Sequence, residues 1–192
     1  RGGKMDVVVR VLSFWYNEEN PDPSADGSYR SAWFKKDSTF DKQIRDQFET
    51  DVIAAANGQY KNLCNTPAGA LTLSILLDQF PRNLYRGSPR AFATDTLALK
   101  IAKQAIKSGF DLKLGKTRRM FLYLPFEHSE NLKDQDMAVR LFKASKDDQT
   151  YPYALEHYYV ISRFGRFPSR NPALNRESTA DEVAFLKLFG GY

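Results

Sequence analysis

Apolar residues recur at helical spacing along almost the whole chain, and this pattern restricts the possible folds more than any other feature of the sequence. Apolar side chains three or four positions apart share one face of a helix, whereas a half-buried strand requires strict alternation. The clearest run is Phe40, Ile44, Phe48 and Val52. No stretch alternates with period two for long enough to predict a sheet. The sequence therefore predicts an all-α protein.

Proline, glycine and N-capping residues divide this pattern into separate helices. Thr66 and Ser88 each precede a proline, which is the usual order at a helix start because the first turn needs no proline N–H. Ser38 and Thr179 are each followed three positions later by an acidic residue, as in a capping box. Pro81 is expected to end the helix before it, since proline lacks the N–H donor and clashes with the preceding turn. The predicted helices are 8–15, 40–52, 70–80, 91–107, 118–132, 135–144 and 153–164, followed by a last helix that Thr179 and Glu182 cap and that runs through Val183 and Leu186 to Phe189.

The expected architecture is a single domain, 1–192, of seven to eight helices in antiparallel pairs. Short turns marked by glycine or proline separate the helices, and no linker divides the chain. The first segment has an alternative, since the β-branched run 7–9 also suits a strand. Residues 1–4 are interpreted as an expression remnant.

Composition excludes several classes of protein. With 42% hydrophobic and 27% charged residues the chain is neither disordered nor fibrous, and its 192 residues suffice for a core without disulfides. No apolar run approaches the roughly 18 residues that a membrane helix needs. Cys64 is the single cysteine, so no internal disulfide forms, and we expect the protein in the cytoplasm.

The net charge of +5 comes from the second half of the chain. Between 161 and 176 no acidic residue interrupts a series of four arginines, which are Arg163, Arg166, Arg170 and Arg176. This short basic stretch indicates a local site for an anion. A nucleic-acid binder would carry a broader basic face or a known motif, so we expect neither nucleic acid nor a membrane as a partner.

Three polar residues occupy positions that face the core. His128, His157 and Asp78 each continue an apolar helical stripe, so we expect their side chains to point inward and to approach one another. A buried polar group without a partner costs about 1–3 kcal/mol, which favours mutual hydrogen bonding. Two interpretations stay open: the cluster either locks three helices together or lines a ligand pocket with an arginine at its edge.

The residues around His128 suggest acid–base chemistry. Glu127 and Glu130 lie three positions apart, and a glutamate beside a half-buried histidine can tune a general base toward neutral pH. A solvated helix face next to a core histidine would have the same sequence. The His-x-x-x-His and Glu-x-x-His spacings of helical metal sites are absent, so the sequence predicts no metal. Arg166 and Arg170 either bind an anion or clamp the carboxylate of Asp78, Glu127 or Glu130.

Three strings follow one another in the chain: 76–83 (LLDQFPRN), 124–130 (LPFEHSE) and 163–168 (RFGRFP), the last preceded by His157 and followed by Arg170 and Asn171. Together they resemble the domain of unknown function 924 family, and the resemblance extends from residue 14 to residue 182. It implies an all-helical, tetratricopeptide-like fold in bacterial and eukaryotic proteins with no established general activity. The chain departs from the family pattern in three places. Ser169 stands where the family usually has a third histidine, Asn175 stands where it has glycine, and residues 63–64 stand where it commonly has a tryptophan.

We therefore predict a helical domain that binds a small anionic ligand and that is an enzyme if His128 or His157 transfers a proton to it. The residues predicted to be catalytic are His128, His157 and Glu127. The residues predicted to bind the ligand are Asp78, Arg82, Asn83, Glu130, Arg163, Arg166, Arg170 and Asn171. The alternative is a module that binds a protein or peptide, with the polar cluster purely structural. The sequence identifies no cofactor.

Overall fold

A computed structural model of the chain describes residues 6–191, and within that range it contains helices and loops but no strand. The helices are α1 (Val7–Tyr16), α2 (Ser38–Ala56), α3 (Pro67–Ser74), α4 (Phe80–Leu84), α5 (Asp95–Lys107), α6 (Lys116–Glu127), α7 (Leu132–Ala144), α8 (Tyr151–Phe164) and α9 (Ala180–Phe189). The all-α prediction is confirmed, and the 7–9 run is helical rather than extended. Residues 1–4, interpreted above as an expression remnant, lie outside the described residues. Within 6–191, no helix is both long and apolar enough to cross a membrane.

Most of the capping signals act as predicted. The Thr66 side chain accepts a hydrogen bond from the first turn of α3, and Thr179 and Glu182 form a complete capping box at the start of α9. The prediction for α2 is wrong in detail. There the side chain of Asp37, one position before Ser38, accepts hydrogen bonds from two first-turn amides. A carboxylate satisfies two donors at once and is favoured by the positive end of the helix dipole.

Three predicted helices have clearly different boundaries in the structure. The predicted helix 118–132 ends at Glu127, and α7 begins earlier than predicted because the Asn131 side chain caps it by accepting from the Lys133 amide at 2.9 Å. The predicted helix 91–107 starts with a separate 3-10 turn, Pro89–Ala91, before α5 begins at Asp95. The first difference affects the site, because it places His128 at the C-terminal end of α6 rather than within a helix.

Pro81 does not end the helix as predicted. A π-helical segment, Ile75–Gln79, joins α3 to α4 without a break, so eight continuous helices are present in the described range. Proline cannot donate to the carbonyl four residues earlier, which is that of Leu77. The Thr94 hydroxyl donates to this carbonyl at 2.6 Å and thereby satisfies it. The helix continues because a neighbouring element supplies the missing hydrogen bond.

Pro125 lies inside α6 and is accommodated in the same way. The carbonyl it leaves without an intrahelical donor is that of Phe121. The buried Ser74 hydroxyl of α3 donates to this carbonyl at 2.6 Å. In both places a hydroxyl from another segment replaces the backbone donor that proline lacks.

Aromatic side chains fill the main core. Trp15 stacks on Trp33 with ring centroids 5.8 Å apart, and the edges of Phe80 and Phe121 pack against Trp15 at 5.5 and 5.3 Å. Successive helices then pack on one another, α5 on α6, α6 on α7 and α7 on α8. A smaller apolar cluster lies under α8 and α9 and consists of Val160, Ile161, Phe167 and Phe185. The candidate site lies where these two clusters meet.

We predict that Ser74→Ala destabilises the protein by about 1–3 kcal/mol, because it leaves the Phe121 carbonyl buried without a donor. Pro125→Ala restores a backbone N–H at that position. The cost of Ser74→Ala should therefore be smaller in a Pro125→Ala background, and urea unfolding of the four proteins in this double-mutant cycle measures the difference. An equal cost in both backgrounds would contradict the assigned role of Ser74.

Candidate functional site

A cavity of about 660 Å³ opens between α4, the end of α6, α8 and the 3-10 turn Pro168–Arg170. This volume is in the usual range for a small-molecule site. Its apolar walls include Trp33, Phe92, Leu124 and Phe167, and its polar lining includes Arg82, Glu127, His128, His157 and Arg170. The structure thus brings together on one cavity all three residues predicted to be catalytic.

A buried carboxylate is paired with His128 behind the cavity wall, and this carboxylate, Asp78, was predicted to bind the ligand but does not itself border the cavity. Asp78 lies in the π-helical segment and has no exposed surface. Its Oδ1 is 2.7 Å from Nδ1 of His128, and its Oδ2 accepts a hydrogen bond of 2.7 Å from Gln79. The carboxylate can only accept, so Nδ1 of His128 carries the proton and Nε2 carries a lone pair. Within residues 6–191 no hydrogen bond reaches Nε2, and the ring borders the cavity.

The charges around this pair keep Asp78 ionised and His128 neutral. Burial acts to raise the pKa of Asp78, but His128 and Arg82 together with the hydrogen bonds outweigh it and lower that pKa to about 2. Burial lowers the pKa of His128, and the positive charge of Arg82 lowers it further against the opposing effect of Asp78. At neutral pH the pair is therefore a carboxylate beside an imidazole whose free nitrogen can accept a proton.

A second acid–histidine pair lies next to the first. Glu127 is 3% exposed, and its Oε1 is 3.3 Å from Nδ1 of His157. That nitrogen also donates to the Tyr153 carbonyl at 2.8 Å. The Glu127 Oε2 atom is buried and accepts no hydrogen bond from the described residues. The two histidine rings are 6.4 Å apart, so the expected approach of Asp78, His128 and His157 is observed.

The ionisation of this second pair is opposite to that of the first. Burial, together with the negative charges of Asp78 and Glu156, raises the pKa of Glu127 to about 8. Burial and the neighbouring His128 lower the pKa of His157 to about 3. At neutral pH Glu127 is therefore a protonated acid and His157 a neutral imidazole. One cavity thus contains a proton acceptor, His128, and a proton donor, Glu127.

Two arginines border the same cavity and differ in how fully they are paired. Arg82 forms two hydrogen bonds with Asp95, at 2.7 and 2.9 Å. Arg170 lies between the rings of Phe92 and Phe167, at 4.7 and 4.5 Å from their centroids. It donates one hydrogen bond of 2.9 Å to the His128 carbonyl, and its ion-pair distance to Asp95 is 3.7 Å, too long for a hydrogen bond. Burial and the charge of Arg82 lower the pKa of Arg170 to about 10, so it remains charged at neutral pH.

Several residues predicted to bind a ligand are engaged elsewhere in the structure. Arg166 forms a two-bond ion pair with Glu182 at 2.8 and 2.9 Å, and Glu182 is not among the three carboxylates expected from the sequence. Asn171 donates to Glu182 as well. Arg163 is exposed and contacts the Tyr159 hydroxyl at 3.1 Å. These three predicted residues do not border the 660 Å³ cavity.

Glu130 and Asn83 occupy intermediate positions. Glu130 pairs with Arg176 at 2.8 Å and accepts a hydrogen bond from the Phe167 amide at 2.8 Å. It borders a smaller cavity of about 350 Å³, which shares the walls Phe92, His128 and Arg170 with the larger one. Asn83 borders the larger cavity while donating to Asp41 at 2.8 Å.

Sequence reasoning missed other residues of the site. Asp95 holds Arg82, yet its sequence context is an ordinary acidic first turn of a helix. Lys35 and Lys36 border the cavity from the loop before α2, and no motif surrounds them. The π-helical segment had no clear sequence signal, because Pro125 also lies inside an apolar helix and α6 neither ends nor widens there. Among the described residues, no group of three or more His, Cys, Asp or Glu side chains is arranged to hold a metal ion.

We predict that Glu127→Gln changes how stability depends on pH. Between the ordinary glutamate pKa of 4.5 and about 8, the folded state keeps a proton that the unfolded state has lost, so wild-type stability decreases as pH rises. The free energy of unfolding of the variant, relative to wild type, should therefore increase with pH by up to about 1.4 kcal/mol per pH unit. Urea unfolding from pH 5 to 8 measures it, with Glu177→Gln at an exposed carboxylate as the control. A difference that does not vary with pH would refute the buried neutral acid.

Comparisons with known proteins give a family but no activity. Residues 11–190 match the family described as "Bacterial protein of unknown function (DUF924)". A solved structure of a protein of unknown function from Agrobacterium tumefaciens is similar, with 35% sequence identity, a TM-score of 0.86, and coverage of 95% of this chain and 97% of that one. No curated protein matches the sequence. Because the match spans nearly the whole chain, as the sequence resemblance implied, the protein belongs to the DUF924 family.

Proposed function

We propose that the 660 Å³ cavity binds a small anionic ligand and that His128 exchanges a proton with it. The observation that carries the proposal is the state of Arg170, a mostly buried guanidinium that has one hydrogen bond, to a carbonyl, and a long 3.7 Å contact with Asp95 among the described residues. It has five N–H donors, of which one makes a hydrogen bond within residues 6–191. A buried charge is expensive unless it is paired, so a cavity beside such a group favours an anion.

The geometry around Arg170 suits a carboxylate or phosphate. The two flanking rings hold the guanidinium plane, and the hydrogen bond to the His128 carbonyl fixes one edge. The remaining donors are then presented in a fixed orientation, which favours two parallel bonds to an anion. The carbonyl that accepts the Arg170 hydrogen bond is that of His128 itself. An anion bound to Arg170 would therefore lie near the His128 imidazole.

The proton chemistry follows from the two acid–histidine pairs. Asp78 orients the His128 ring and stabilises its protonated form, so Nε2 is suited to act as a general base. Glu127 is suited to act as a general acid, since it carries a proton at neutral pH in a dry environment. His157 contacts Glu127 and is a positioning residue. An acid and a base on one cavity support an enzyme that removes a proton at one atom of its substrate and delivers one at another.

The alternative, a module that binds a protein or peptide, receives less support. Such a module would present its recognition residues on an open groove. Asp78, Glu127 and His157 are buried instead, and a protein chain could not reach them without a large rearrangement. The tetratricopeptide-like arrangement remains a point of resemblance that does not by itself imply binding to proteins.

The cytoplasm suits either function, because Cys64 is a free thiol.

We predict that Arg170→Lys weakens anion binding at least about tenfold while leaving the fold intact, because lysine keeps the charge but loses the two-pronged geometry. Hexanoate and inorganic phosphate are the probes, and thermal shift and calorimetry are the measurements. Arg163→Lys, at the exposed arginine outside the cavity, is the matched control and should bind like wild type. If Arg170→Lys binds both anions normally and loses more than about 2 kcal/mol of stability, Arg170 is a structural clamp and the proposal fails.

We also predict that hexanoate binding at pH 7 takes up a proton. The unliganded His128 is neutral, and a bound negative charge beside it raises its pKa. Calorimetry in buffers of different ionisation enthalpy measures the uptake, which His128→Gln should abolish. An NMR titration of the wild-type His128 ring, with and without hexanoate, gives the same information without a variant. An unchanged ring titration would show that the ligand does not contact this histidine.

A further inference from the structure

The cavity has a second positively charged region at its mouth. Lys35 and Lys36 border it from the loop that precedes α2, and both are exposed. No ion pair or hydrogen bond joins either side chain to another residue within 6–191. Arg86 also borders this part of the cavity, but Asp41 neutralises it through two hydrogen bonds of 2.6 and 2.9 Å. The two lysines therefore contribute the uncompensated charge at the entrance.

Apolar rings line the cavity together with these two charged regions. Trp33 is buried, whereas Phe34 and Tyr29 are each about half exposed, at 50% and 46%. Trp33 and Phe34 directly precede the two lysines in the chain. Phe92 lies at the inner end, where its ring contacts Arg170. Exposed aromatic rings around a cavity favour an occupant with apolar surface of its own.

We infer that the ligand is a dianion with an apolar body, one anionic group held by Arg170 and the second by Lys35 and Lys36. This inference rests on the proposed function and adds the class of ligand. A monoanion would occupy one positively charged region and leave the other without a counter-charge. The two regions also differ in character. Arg170 is buried and oriented, whereas the lysines are solvated point charges on flexible stems, so they recognise charge and distance rather than the geometry of a particular group.

The lysine contribution to affinity should be moderate because both side chains are exposed. Exposed ion pairs contribute little individually, and two of them correspond to roughly a three- to tenfold gain in affinity at low salt. The gain should also shrink as salt is added, since the screening length falls from about 10 Å at 0.1 M to 3 Å at 1 M. The Arg170 contribution, in its dry surroundings, should depend less on salt.

Calorimetry with a graded series of ligands tests this inference. The probes are straight-chain α,ω-dicarboxylates of four to ten carbons and the monocarboxylates of equal length. A third set, ω-phosphonocarboxylates, shows whether the group at the mouth of the cavity is phosphate-like or a carboxylate. At the best length, the dicarboxylate should bind about three- to tenfold tighter than its monocarboxylate. The double variant Lys35→Ala, Lys36→Ala should lose that preference and keep the monocarboxylate affinity. The control is Lys61→Ala, Lys107→Ala, two exposed lysines away from the cavity.

The outcomes separate this inference from the proposed function. If wild type binds monocarboxylates through Arg170 but shows no preference for any dicarboxylate or phosphonocarboxylate, the inference is overturned and the proposed function stands. The same holds if the double variant at 35 and 36 keeps the preference. If neither type of ligand binds to wild type, or if Arg170→Lys leaves all affinities unchanged, the proposed function fails and the inference fails with it.

Discussion

The Asp78 carboxylate has no exposed surface, and its charge is stable there because the surrounding residues form a closed ring of contacts. Asp78 contacts His128 at 2.7 Å and Arg82 at 3.4 Å. Arg82 binds Asp95, Asp95 lies 3.7 Å from Arg170, and Arg170 donates to the carbonyl of His128. Opposite charges are in contact from Asp78 through Arg82 to Asp95. Arg170 has the longer 3.7 Å contact with Asp95, and the neutral His128 completes the ring. Removing one member would leave the next one buried without compensation, which is among the most costly defects in a protein interior.

The two carboxyl groups of the site show how environment sets chemistry. Asp78 and Glu127 both lie on helical segments and are both almost fully buried. Asp78 has an arginine and a histidine as neighbours and stays ionised, whereas Glu127 has a neutral histidine and two negative groups nearby and keeps its proton. Opposite protonation states within one cavity are typical of sites that transfer protons.

Sequence periodicity was sufficient for the fold and for part of the site. A polar residue on an apolar helical stripe points inward, and the cost of burying it without a partner led to the prediction that Asp78, His128 and His157 approach one another. The partner of Arg166 could not be predicted from the sequence. Glu182 lies beside Arg166 because α9 packs on the 3-10 turn Pro168–Arg170. Pro81 failed as a helix terminator for a similar reason, since the compensating Thr94 hydroxyl comes from a different segment. Local rules identify which groups need partners, and the tertiary fold decides which partners they find.

The two interior prolines also fix how far the helices can slide along one another. An ordinary helix satisfies its own backbone and can shift along its neighbour at the expense of side-chain packing alone. Here the Phe121 and Leu77 carbonyls each accept their hydrogen bond from a neighbouring segment, so a slide of one residue would break a buried bond as well. The link through Ser74 joins α3 to α6, and the π-helical segment continues directly from α3. Proline therefore sets the axial register that keeps Asp78 opposite the end of α6, where His128 lies.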